Sequence, residues 1–130
     1  MNANFDITTI EETIRTAVRE LGVSDKIYVN RPKAVSESVS DFVVVKVTGR
    51  VNDLNAFATC SISISLFAKN VNNIKNGKKL SSMQQKLNGL SGNQGKLLLD
   101  LHPQCIGDTP DDFGFYARVI LFNNTTIKII

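Results

Sequence analysis

Residues Ala56 to Ala68 read AFATCSISISLFA, and the alternation within them decides the fold. Ala58, Cys60, Ile62, Ile64 and Leu66 fall on one face of an extended chain, and Thr59, Ser61, Ser63 and Ser65 on the other. That is the period of two expected of a strand with one buried face. The second face is lined with small neutral hydroxyls, which are poor nucleophiles without a neighbouring base. They suit the close approach of another polypeptide or an aqueous lumen, so the chain reads first as an assembly component.

Upstream, Phe42 to Val51 repeats the pattern, with Val43, Val45, Val47 and Val51 on one face and Lys46, Thr48 and Arg50 on the other. The turn-forming Asn52-Asp53-Leu54-Asn55 joins the two segments into a long antiparallel hairpin. Further back, Ile7, Ile10, Ile14, Val18 and Leu21 stand at helical spacing, so Thr8 to Leu21 is predicted to be an amphipathic helix. Thr8 with Glu11, or Thr9 with Glu12, offers a capping box, and Gly22 a stop. Lys26 to Asn30 is a short extended piece before Pro32 and the serine-rich stretch Val35 to Ser40.

Downstream, Leu80, Met83, Leu87 and Leu90 predict a second short helix, with Met83 as core filling. The glycines of NGLSGNQGK (88–96) read as flexible linkage. Leu97 to Leu101 and Gln104 to Ile106 read as extended, and GDTPDD (107–112) as a turn cluster. The chain closes as a second hairpin, Phe113 to Phe122 and Thr125 to Ile130 turning at Asn123-Asn124. The apolar end, Ile127, Ile129 and Ile130, is expected to pair within the sheet or against a neighbouring subunit. The layout is α+β, in one domain spanning residues 1–130: an antiparallel or mixed sheet with a long hairpin, packed against two helices.

The 130 residues are 42% hydrophobic and 21% charged, enough for one sizeable core. No apolar run approaches the roughly 18 residues of a membrane-spanning helix, and MNANFDITTIEET lacks the features of a signal peptide, so a cytoplasmic protein is expected. Cys60 and Cys105 stand apart, and Cys60 lies on the apolar face, where a thiol behaves as a small hydrophobe; no disulfide is expected.

The net charge of +3 conceals an asymmetry. No acidic residue lies between Asp53 and Asp100, while Lys69, Lys75, Lys78, Lys79, Lys86 and Lys96 do. The loop KNVNNIKNGKK (69–79) therefore carries a local positive field. It lacks the arginine forks and stacking aromatics common in nucleic-acid sites, and reads either as a solvated loop or as a phosphate-facing or partner-facing one.

Catalytic patterns are sparse. His102 is the single histidine and has no neighbours at metal-ligand spacing. Asp108, Asp111 and Asp112 read as a turn in preference to a cation loop, and Lys96 is not followed by the Ser or Thr of a phosphate loop. No catalytic, metal or cofactor residues are assigned, and a non-enzymatic role is expected.

The helix ITTIEETIRTAVRELG, the connection IYVNRPKAVSESVSDFVVVKV and the hairpin continuation SISISLFAKN together resemble the tail terminator or tail completion (head-tail joining) proteins of long-tailed bacteriophages and prophages. The likeness covers nearly the whole chain as a pattern and is sharpest from Tyr28 to Val47. It implies a small α+β subunit of a hexameric ring that caps the tail tube and meets the head connector, in the virion neck after assembly in the host cytoplasm. Partners implied are further copies of the chain, the tail tube protein, connector proteins and DNA in the lumen.

On that basis Lys46, Arg50, Thr59, Ser61, Ser63 and Ser65 form the expected outward sheet face, with Ile127 and Ile129 as a second subunit contact. Lys69, Lys75, Lys78 and Lys79 form the loop expected to face DNA or the tail tube. Three alternatives stay open: a head-tail connector adaptor, a small basic nucleic-acid-binding module, and a metal-dependent nuclease built on Asp100, Asp111 and Asp112.

Overall fold

The alternating segment becomes the strand on which the sheet is built. The computed structural model describes residues 7–29, 39–53, 57–90, 92–94, 97–99, 103–111 and 113–128. In chain order these form α1 (Ile7–Glu20), β1 (Ile27–Val29), β2 (Asp41–Asp53), β3 (Phe57–Lys69), α2 (Gly77–Leu87), a 3-10 turn (Asn88–Leu90), β4 (Gly92–Gln94), β5 (Leu97–Leu99), β6 (Gln104–Pro110) and β7 (Phe115–Lys128). The strands make one seven-stranded mixed sheet in the order β1-β2-β3-β7-β5-β4, with β6 paired to β7 alongside β5. The fold is α+β.

The strand β3 is hydrogen-bonded along its length to β2 on one side and β7 on the other, both antiparallel. Val43, Val45 and Val47 of β2 face Leu66, Ile64 and Ile62, and Ile64 and Ile62 in turn face Ile120 and Phe122 of β7. Directly opposed residues share a face, so these rows form an apolar platform. Both helices lie on it, where Ile10, Ile14 and Val18 of α1 and Leu80, Met83 and Leu87 of α2 join the platform residues in one core. Cys60 is buried in the same cluster, and burial pushes its thiol up to about 11, so at neutral pH it packs as a hydrophobe.

The first helix does more than cover the core. Its Glu11 is 3% exposed, and its carboxylate accepts the Val47 backbone N–H at 3.0 Å. The parallel strand β1 pairs only Val43 to Val45 of β2, so Val47 is the next position at which an inward strand partner would have been needed. One turn along the same helix, Arg15 Nε donates to the Ile27 carbonyl at 3.0 Å. Glu11 is thus committed to the sheet edge instead of the capping box that its spacing from Thr8 suggested.

Several expectations are corrected. Asn123-Asn124 is not a hairpin turn, because β7 runs unbroken from Phe115 to Lys128. Against β3 the pairing steps from Ile62↔Phe122 to Cys60↔Thr125, so the two asparagines oppose Ser61 alone and form a bulge. Gly107 to Pro110 is strand rather than turn, since β6 continues along β7 through a register shift between Ile106 and Thr109. Between the end of β6 and the start of β7, Asp111 Oδ1 accepts the N–H groups of Phe113 and Phe115 and Gly114 takes φ +83.

Gly92 to Gln94 is not linkage but β4, antiparallel to β5. The second helix begins at Gly77, three residues before Leu80, because Asn76 caps it by accepting the Lys79 N–H at 3.1 Å. Asp100, His102, Asp112, Ile129, the Arg31-Pro32 segment and the Leu54-Asn55 turn lie outside the described residues.

Replacing Glu11 by Ala leaves the Val47 N–H without its acceptor, at an expected cost of about 1–3 kcal/mol. Glu11→Gln, which keeps an acceptor oxygen, is expected to lose less; urea unfolding of both variants checks the order.

Candidate functional site

The face of the sheet away from the helices has two zones. At the end where β2 begins and β3 leaves the sheet, Phe42 stacks on Phe67 with ring centroids 4.3 Å apart and meets Phe115 edge-on at 5.4 Å. Tyr28 packs edge-on against Phe42, and Val44 completes this second cluster. Beyond it the face opens. One transverse row runs Val44, Ser65, Val119 and Ile106, and the next runs Lys46, Ser63, Leu121 and Gln104.

The structure therefore brings the expected outward residues together. Thr59, Ser61, Ser63 and Ser65 lie on this face, all half-buried, with Lys46 exposed opposite Ser63. Ser61 donates to the Asn123 carbonyl at 3.1 Å, and Thr48 donates to the Ser61 carbonyl at 3.4 Å, so part of the hydroxyl row serves the sheet's own backbone. Arg50 falls where β2 shifts register between Thr48 and Asn52. Beside the hydroxyls stand aliphatics that the sequence did not single out: Val119 and Leu121 are half-buried and Ile106 is 48% exposed.

Ile127 sits between two strands of its own chain, opposite Ala58 of β3 and Leu97 of β5. The within-sheet alternative holds for this residue, and its backbone offers no edge to a neighbouring subunit.

The lysine loop is built differently from its composition. Val71 and Ile74 exchange backbone hydrogen bonds of 2.9 and 3.0 Å across Asn72 and Asn73, which take φ 53 and 63. Positive φ at both central residues is the signature of a two-residue turn of type I′. The loop thus ends in a tight β-turn tip, on which Val71 is 56% and Ile74 69% exposed. Asn70 N–H donates to the Gly114 carbonyl at 2.8 Å, which fastens the tip to the turn carrying Phe113, itself 47% exposed.

Of the four lysines expected on the loop, Lys69 ends β3 and Lys78 and Lys79 open α2, leaving Lys75 between them; Lys75 and Lys79 are met by carboxylates from distant strands. Lys75 Nζ is 3.0 Å from Asp108 Oδ2, and Lys79 Nζ is 3.4 Å from Asp41 Oδ2. A segment free of acid in sequence is therefore partly neutralised in space. Burial pushes the Asp41 carboxyl up, but the hydroxyls of Ser24 and Ser40 and the Lys79 ammonium outweigh it and hold it below the usual carboxylate range.

Asp108 is the hub of this end. Arg118, on the helix-bearing face of β7, grips it with Nε–Oδ1 at 2.7 Å and Nη2–Oδ2 at 2.8 Å, the paired geometry that suits guanidinium and carboxylate. Arg118 Nη1 also donates to Ser81 and Gln84 of α2, at 3.2 and 3.0 Å. The Arg118 hydrogen bonds, opposed by burial and helped by the Lys75 bond, hold Asp108 down at about 2. Of the trio Asp108, Asp111 and Asp112, Asp108 is engaged with Arg118 and Lys75, Asp111 holds its turn through Oδ1 while its buried Oδ2 has no hydrogen-bond partner among the described residues, and Asp112 lies outside the described residues. Among the described residues no group of three or more His, Cys, Asp or Glu side chains is placed to hold a metal ion, and no helix is long and apolar enough to cross a membrane.

Sequence reading missed Arg118, Val71 and Ile74, and read Asp108 as part of a turn instead of an ion-pair hub. The signals were faint: an arginine at the inward phase of Tyr116, Arg118, Ile120 and Phe122, and β-branched residues flanking an Asn-Asn pair.

No family model matches the chain, and no curated protein does. A solved structure overlays on the whole of it, covering 97% of that protein's own length, with a TM-score of 0.63 and 7% sequence identity. Likeness at that identity extends to the fold alone.

Asp108 lies well below its unfolded value near 3.9, so the clamp is expected to contribute about 2 kcal/mol of stability at neutral pH. A lowered carboxylate is stabilising above the unfolded value, and the contribution fades as pH falls from about 4 to about 2. Urea midpoints measured across that range should drop for the native chain, and the drop should shrink for Asp108→Asn, whose stability is already reduced at neutral pH.

Proposed function

We propose that this chain is a structural subunit of a tailed phage or prophage: a tail terminator that caps the tail tube and joins it to the head connector, working as a ring of about six copies. The observation that carries the reading is the open sheet face, where half-buried serines and aliphatics run in transverse rows out to the exposed Ile106 on β6. Solvent-facing apolar groups beside small side chains suit contact with another protein surface. The sequence pattern of the first helix and long hairpin supplies the phage assignment.

The basic module is the weaker alternative, because Asp108 and Asp41 draw Lys75 and Lys79 into internal ion pairs and so reduce the charge left for phosphates. A connector adaptor would use the same surfaces with different neighbours, and belongs to the same class of reading.

Light scattering coupled to size exclusion, run across protein concentration at low and high salt, tests the proposal. A closed species of about six chains that withstands salt is expected. A monomer with salt-sensitive affinity for DNA would instead favour the basic module.

A further inference from the structure

We draw no further inference here: the strongest candidate, the corner at the start of β7 where the buried Asn70 Oδ1 and Asp111 Oδ2 have no hydrogen-bond partner among the described residues, carries nothing because Asn70 follows β3 and Asp111 follows β6, which flank β7 on opposite edges, and nothing in the structure brings the two oxygens onto a common ligand.

Discussion

Everything in this molecule depends on β3 being paired along both edges while its side chains alternate between two environments. Ile62, Ile64 and Leu66 are wholly buried, and burying each such side chain favours folding by roughly 1.5–3 kcal/mol. A slip of one residue would put serines beneath the helices and isoleucines in solvent. That penalty fixes the register of β2 and β7, and with them the identity of both faces. The bulges where β2 passes Thr48 and where β7 passes Asn123-Asn124 lie outside the stretch pairing Ile62 to Leu66, so the sheet absorbs its irregularities beyond the core rows.

The helices are fastened to this platform at its two flanks by polar links that complement the apolar contact. On one flank α1 supplies Glu11 and Arg15 to backbone groups of β2 and β1. On the other, Arg118 ties α2 to β7 and, through Asp108, to β6. Glu11 and Arg118 are largely taken from water and given hydrogen-bond partners, the condition under which burial of polar and charged groups is tolerated. The open sheet face and the turn at Asn72-Asn73 take no part in these links.

The lysine segment shows how composition misleads when contacts are long-range. Read along the chain, 69–79 is a basic loop rich in asparagine and glycine. Folded, it is the end of β3, a closed turn with an apolar tip and the first turn of α2, and Lys75 and Lys79 are compensated by residues 33 positions later and 38 positions earlier. A charge field depends on distance in space, so a count of residues between two acids in sequence does not determine it.

The sequence by itself determined the elements whose signal is local and periodic. Helix α1, the β2–β3 hairpin, the apolar face of α2 and the burial of Cys60 all follow from spacings of 3.6 or 2, because a single face of each element must leave water. Tertiary structure alone decided the rest. Asn123-Asn124 are compatible with either a turn or a bulge, and β7 continues because β3 offers it an unbroken template. Gly107 to Pro110 and Gly92 to Gln94 carry little strand propensity, yet they are strands because β7 and β5 leave edges to be paired. Glu11 had the spacing of a helix cap, but it was drawn to Val47 by a buried N–H that no neighbouring residue in sequence reveals.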